Sequence, residues 1–369
     1  MTGFWSLRVG TVLLAVFAAI STARGVGTSF TWVEVPTGFD VLALSSDGSA
    51  FASRSTFLGP VRWTRSEGVQ SFSPFITGTG FPVPRGVSSG SSVVVGYSSL
   101  SQHKDTAWKW TAPGSVAALP LSGTATGSYA TAVSNSGAVV VGKLEYGDYL
   151  QDTSRACRWN GSSVQLLDPV GNQNSFALGM NSDGSAITGS LGQGCFRWRA
   201  SGGFENLGGI AGARMFPYGV SADGSVLSGT ATLSTGLNGA YRWTQASGFS
   251  ILPLPAGATE GGVTAMDASG NFSVGFYYAQ SGARACFWTP TDGCVDLTNW
   301  LVSRGQIIPP SVNNFTSLSI AQGVSADGRT IAGLSAGSAW VATIPAPSGG
   351  YLLATALCAV SATGRRRRY

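Results

Sequence analysis

The chain has a single histidine, His103, in 369 residues, which leaves no set of histidines to gather round a metal. His103 sits in the polar stretch SSLSQHKDT, the setting of a solvated loop residue rather than a catalytic base. Charge is scarce as well: Asp, Glu, Lys and Arg make up 11% of the chain. Five of the 22 basic residues lie at the ends, Arg8 and Arg365 to Arg368, so residues 24–364 carry 17 basic against 17 acidic groups. A neutral body has no electrostatic footprint for nucleic acid. No Gly-x-Ser-x-Gly elbow and no phosphate loop stands out, and Gly-rich matches mean little among 52 glycines. What the chain does have is glycine without collagen periodicity, 43% hydrophobic residues and 11 tryptophans. That combination fits many tight turns around a packed core and fits disorder poorly.

Both ends read as removable signals. Residues 1–23 combine one positive charge in MTGFWSLR, the 12-residue apolar run VGTVLLAVFAAI and the small residues Ser21-Thr22-Ala23, the pattern of a signal peptide cut after Ala23. The run is too short to span a bilayer comfortably. At the other end, Pro345-Ala346-Pro347 precedes a short apolar run from Tyr351 to Ala362 and then Arg365, Arg366, Arg367 and Arg368. The basic cluster would hold that end on the cytoplasmic side of a membrane. This layout over 345–369 resembles the PEP-CTERM sorting tail of Gram-negative bacteria, in a Pro-Ala-Pro variant that lacks the central Glu. The resemblance implies processing by an exosortase-type enzyme after a signal peptidase has acted. It also implies transient inner-membrane anchoring by a short transmembrane helix, and delivery to the cell surface or beyond.

Between the ends one motif is written seven times. GVSADGSVLSG (219–229) followed by AYRWT (240–244) is the clearest copy; AVSNSGAVVVG (132–142) with ACRWN (156–160) and GVSADGRTIAG (323–333) with SAWVA (338–342) are relatives. The tryptophans of the copies are Trp63, Trp110, Trp159, Trp198, Trp243, Trp288 and Trp340. A period near 45 residues, with short β-rich runs and turn signals, matches a four-stranded propeller blade. The expected fold over 24–344 is therefore all-β, a seven-bladed β-propeller. In each blade a first strand ends in a small residue at the inner edge. A tight turn, often Asp-Gly, follows; the second strand ends in Gly, and the third carries the Trp. A basic residue precedes the Trp in five copies (Arg62, Lys109, Arg158, Arg197, Arg242), and pairing between blades is its expected role, with the turn Asp as partner. The seventh copy stops after three strands, while FTWVEVPTG (30–38) aligns with the fourth strand of copy five, FSILPLPAG (249–257). The N-terminal strand is therefore expected to close the last blade, with residues 29–36 against 338–344.

These repeats, a DG turn, a Gly and then an Ala-x-Arg-Trp strand, resemble the HAF family of extracellular repeats over roughly 30–344. ACFW (285–288) and CFRW (195–198) stand where that family has His-Ala-Phe. The resemblance implies location and fold more than activity.

The best acidic cluster is Glu145, Asp148 and Asp152 in EYGDYLQD, a candidate ligand- or cation-binding group; a calcium loop would need several oxygens converging in one loop. Tyr146, Tyr149, Tyr277 and Tyr278 are expected on the long loops of one face, including 143–154 and 276–283, where they would stack on sugar rings. Cys286 and Cys294 flank the hairpin FWTPTDG and are the candidate disulfide, which export permits. No catalytic set, metal site or cofactor is expected. The leading reading is an exported, exosortase-sorted surface or matrix protein that binds or scaffolds, with extracellular polysaccharide as its ligand. A secreted polysaccharide lyase or glycosidase is the rival, and a structural spacer with no ligand the third reading.

Overall fold

The computed structural model describes residues 28–33, 39–55, 58–72, 81–99, 105–147, 153–169, 171, 173–310 and 317–345. Seven four-stranded antiparallel sheets form the blades. Six are continuous in sequence, over 39–71, 82–118, 127–166, 175–208, 214–251 and 260–296. The innermost strands touch in order round a ring, and blade 7 returns to blade 1. The protein is a seven-bladed β-propeller. The leader and the tail beyond Pro345 lie outside the described residues.

Blade 7 is closed as the repeat arithmetic requires. Its inner three strands span 320–343, and Ser29–Val33 supplies the fourth. Ser29 pairs with Thr343, Trp32 with Trp340 and Val33 with Ala339. The outer end of the predicted seam, residues 34–36, lies outside the described residues. Phe30 and Trp32 pack edge to face at 5.3 Å, and the Trp32 indole N–H donates to Pro309 O at 2.7 Å.

The recurrent polar residues build the first turn of each blade. One buried side chain at the end of the innermost strand accepts from the backbone N–H five residues on. Ser45, Ser88, Ser134, Asn181, Ser221, Asp267 and Ser325 take this part in blades 1 to 7. The turn Asp then accepts from that serine and from the amide two residues later, as Asp223 does from Ser221 Oγ at 2.6 Å and Ser225 N at 2.9 Å. A buried amide left unpaired would cost about 1–3 kcal/mol, which explains why the position stays polar while its neighbours vary.

The basic residue before the Trp in five copies does reach the next blade, but its hydrogen-bond partner there is not the turn Asp. Lys109, Arg197, Arg242 and Arg62 donate instead to the carbonyl at the glycine position of the next blade's turn. Lys109 reaches Gly137 O at 2.6 Å, Arg197 reaches Gly224 O at 2.7 Å and Arg242 reaches Gly270 O at 3.3 Å. In blade 2, Ser91 holds that position in the left-handed region (φ 56°), and Arg62 reaches its carbonyl at 3.4 Å. Arg62, Arg158 and Arg197 also lie over the next blade's Trp, within 4.9–5.4 Å of the ring centroids. All seven repeat tryptophans are buried. A buried Trp removes roughly 150–250 Å² from water, about 4–6 kcal/mol at ~25 cal/mol/Å² as an upper bound.

The second strands do not stop at their glycines; they run on past them. Gly96, Gly142, Gly189, Gly229, Gly275 and Gly333 lie inside those strands, opposite a bulge in the innermost strand. A Cβ there would fall 1.8–2.1 Å from a facing carbonyl oxygen, so only glycine fits. Two expected loops are correspondingly shorter. Residues 276–283 are mostly strand, Ser273–Ala279 and Gly282–Thr289, joined by a two-residue turn. Likewise Tyr146 is the last residue of the strand Val139–Tyr146. In the long 298–317 link, α1 (Leu297–Ser303) is capped by Asp296, which accepts from Asn299 N, and buries Leu297 and Leu301 in the core between blades 6 and 7. Among the described residues no helix is long and apolar enough to cross a membrane.

Candidate functional site

The first-to-second and third-to-fourth turns of every blade share one face of the ring; the other loops share the opposite face. The central channel runs between them. Ala43, Gly86, Ala132, Gly179, Gly219, Ala265 and Gly323 occupy one position of the seven innermost strands, as the crowding of converging blades demands. A Cβ on Gly219 would lie 2.6 Å from Met266 Cβ of the next blade. At the short-turn face, backbone bonds link successive turns: Asn135 N to Ser182 O, Ala222 N to Ala268 O, Ala268 N to Ala326 O and Ala326 N to Ser46 O. Ser46 also donates across to Asn135.

The channel holds a cavity of about 480 Å³ whose wall is not seven-fold. Tyr129, Phe176 and Phe216 take one position in blades 3, 4 and 5, where blades 2, 6 and 7 carry Val83, Gly262 and Ile320. Tyr97, from the second strand of blade 2, stacks on Tyr129 with centroids 3.8 Å apart, and Tyr129 meets Phe176 edge to face at 5.3 Å. Arg85 lies 5.7 Å from the Tyr97 ring and 5.9 Å from the Tyr129 ring. Lys143 lies 5.4 Å from Phe176 and 5.8 Å from Tyr129, and its ammonium pairs with Glu145 Oε1 at 2.6 Å. Arg214 lies over Phe216 at 5.2 Å.

Arg85 projects into the channel, where its end remains open to water among surrounding protein. Desolvation works against its charge, but the neighbouring Tyr129 and Tyr97 more than offset it and hold its pKa above the ordinary value. Tyr129 is pushed above the usual tyrosine range, chiefly by burial, so the phenol is neutral throughout the physiological range. Tyr218, from blade 5, lines the same cavity and is raised by burial too. The described lining contains one carboxylate, Asp267, which accepts from Phe272 N and Ser269 Oγ. Such a wall can stack a ring and bind an anion. Among the described residues no group of three His, Cys, Asp or Glu side chains converges to hold a metal ion.

The sequence-predicted ligand residues divide. Glu145 reaches the aromatic wall through Lys143. Tyr146 is half-buried, packs on the core of blade 3, and is raised in pKa by burial. Asp148, Tyr149 and Asp152 lie outside the described residues. Tyr277 is no free stacking platform: it is buried in a strand, its hydroxyl donates to Asp296 Oδ2 at 2.9 Å, and burial followed by that bond pushes its pKa up to about 12. Arg284 shares the same oxygen at 2.8 Å, so Asp296 ties this strand to α1. Tyr278 is partly exposed but belongs to the same strand and packs against Phe276. Cys286 and Cys294 are free thiols in contact; Cys286 faces Asp296 and Cys294 faces Trp288, so they are diagonal neighbours across the hairpin, not an opposed pair. Arg85, Tyr97, Tyr129, Phe176, Phe216 and Tyr218 escaped the sequence reading. Their signal is the converse of a repeat: large or charged residues, all but Tyr97 on innermost strands, at positions that change from copy to copy.

The chain matches no known protein family and no curated protein. Its fold is shared with solved structures. An oligogalacturonate lyase in complex with manganese aligns over 89% of this chain and 96% of its own, at 12% identity and a TM-score of 0.56. A prolyl endopeptidase aligns over 85% of this chain and 50% of its own, at 10% identity and a TM-score of 0.55. A TolB protein of Agrobacterium tumefaciens covers 76% of this chain and 95% of its own, at 16% identity and a TM-score of 0.43. At these identities the likeness is one of fold, and the chain is similar to propellers of several functions.

Proposed function

We propose that this is an exported, non-catalytic propeller of the HAF type that binds an extracellular polysaccharide in its central channel. In this reading a signal peptidase removes residues 1–23. A PEP-CTERM-like tail over 345–369, built from Pro345-Ala346-Pro347 and Arg365 to Arg368, engages an exosortase and anchors the chain transiently in the inner membrane of a Gram-negative bacterium. The cell surface or extracellular matrix is then its destination. The observation that carries the binding role is the aromatic wall of Tyr129, Phe176 and Phe216 on one side of the channel, backed by Tyr97 stacked on Tyr129. Aromatic faces present large apolar area at low entropic cost, which suits the apolar faces of sugar rings. Among the described residues the lining carboxylate is Asp267, committed to its turn, which supports a binding role over acid–base cleavage by two carboxyl groups about 5–10 Å apart.

The test is a glycan array probed with the purified full chain and with Tyr129→Ala. Binding to one or more polysaccharides, reduced at least tenfold in the variant, is the expected result. No binding to any glycan would leave the spacer reading standing, and depolymerisation of a bound glycan would favour the enzyme. Deleting 345–369 tests the sorting half: the shortened chain is expected to lose surface attachment and accumulate elsewhere.

A further inference from the structure

Arg85 is a channel cation with an exposed end and, among the described residues, no carboxylate partner. The seven blades provide an internal control, because the same bulged position is held by Thr131, Leu178, Tyr218, Thr264 and Gln322 in blades 3 to 7. Two of these have structural work: Thr131 donates to Ala177 O at 2.8 Å and Thr264 to Ala321 O at 2.6 Å, each tying its blade to the next. Arg85 bonds instead to the hydroxyls of Tyr97 and Tyr129, and its end stays exposed in the channel. Three other cations have carboxylate partners, Arg197 with Glu205 at 2.5 Å, Arg284 with Asp296 at 2.8 Å and Lys143 with Glu145 at 2.6 Å, and Lys109 and Arg242 are bonded to backbone carbonyls. Among the described residues no carboxylate pairs with Arg85, and its neighbours are the rings of Tyr97 and Tyr129. The two phenols hold the guanidinium in place through part of its N–H edge, and the exposed remainder faces the channel, where a planar fork suits contact with an oxyanion.

We infer that the glycan bound in this channel is acidic, with a sugar carboxylate seated on the N–H edge of Arg85 and the attached ring against the aromatic wall. The inference rests on the glycan-binding reading above and adds the class of ligand. Tyr218 lines the same cavity from blade 5 and offers a neutral hydroxyl to the same ligand. The span 24–364 has zero net charge, so a preference of the propeller itself for acidic polymers is expected from a local group such as this one.

The experiment measures affinity of the full chain for three polymers: polygalacturonate, dextran sulfate and neutral dextran. The variants are Arg85→Gln, Arg85→Lys and the exposed control Arg329→Gln, which removes the same unit of charge outside the channel. Polygalacturonate is expected to bind at least tenfold more tightly than dextran. Arg85→Gln should erase that margin, Arg85→Lys should recover part of it, and Arg329→Gln should stay within twofold of the parent. Equal loss in Arg85→Gln and Arg329→Gln would overturn the inference, as would equal binding of dextran sulfate and polygalacturonate. Dextran binding with no preference for polygalacturonate would sink this inference and leave glycan binding intact; binding to none of the three polymers would count against both. If thermal melting shows that Arg85→Gln is unfolded, Arg85→Lys decides: at least a threefold loss for polygalacturonate with dextran unchanged supports the inference, and unchanged affinity for both overturns it.

Discussion

The Arg197 guanidinium sits 4.9 Å from the centroid of the Trp243 ring, one blade further round, and it is almost wholly buried there (1% exposed). Through Gly224 O on one side and Glu205 on the other, this one side chain joins two sheets that share no ladder.

Arg197→Ala should therefore destabilise the ring by about 2–3 kcal/mol, from a lost buried hydrogen bond and an unfilled space. In a chain of this size that lowers the melting temperature by about 3–5 °C. Arg242 reaches its carbonyl at 3.3 Å and is less enclosed, so Arg242→Ala should cost about 1 kcal/mol. Thermal melts of the two variants check the order; a larger loss for Arg242→Ala would contradict this account of blade pairing.

The seam gives the second expectation. Trp32 is buried, packs on Phe30 and bonds to Pro309 O. Trp32→Ala should cost about 3–5 kcal/mol, the usual range for a buried Trp. Limited proteolysis should then cut first near residues 28–38, because the weakened strand is the one held at the seam. First cleavage in blades 2 to 5 would show that the ring does not depend on this closure.

Acid should loosen the turns. The Asp223 pKa is lowered from 3.8 to about 2 by hydrogen bonds from the Ser221 hydroxyl and from the Ser225 amide and hydroxyl. Asp183 is lowered in the same direction by Ser185. A carboxylate whose folded pKa is depressed contributes stability above its unfolded value, and the contribution is lost as pH falls through the folded value. Denaturant midpoints should thus decline between about pH 4 and pH 2. Asp223→Ala should be less stable at pH 7 and show a shallower decline over that window; identical slopes would exclude the turn carboxylate as a source.

Thiol labelling should sort the cysteines. Burial raises Cys157 and Cys286 well above the usual thiol range and pushes Cys195 up to about 12, so these three should resist iodoacetamide in the native protein. Half-buried Cys294 should react. Peptide mass spectrometry on reduced and unreduced samples distinguishes this from oxidation: if Cys294 labels only after reductant, the Cys286–Cys294 pair is bridged.

Period and turn chemistry exposed the architecture in the sequence because blade positions with a shared structural task repeat. Trp63 through Trp340, the turn aspartates and the matching of FTWVEVPTG to a fourth strand were enough for seven blades and their closure. The partners of the basic residues were hidden, since backbone carbonyls leave no mark in a sequence. The assignment of Tyr277 to a loop failed because glycine was taken as the end of the second strand. In fact Gly275 seats a bulge, and the strand continues to Ala279. The channel wall stayed invisible for the opposite reason: Arg85, Tyr129 and Phe216 carry no repeat, and a search for repetition passes over them.

The register at the seam also fixes a direction in space. Thr343 ends a third strand, so it lies on the short-turn face, where Ile344 N bonds to Arg329 O beside the Asp327-Gly328 turn. Ser29 is its ladder partner, which puts the two ends of the described propeller side by side on that face, at the rim of blade 7. Tyr97 and Tyr129 sit toward the far side. A propeller tethered by its tail would stand with the aromatic end of its channel turned outward, away from whatever holds it.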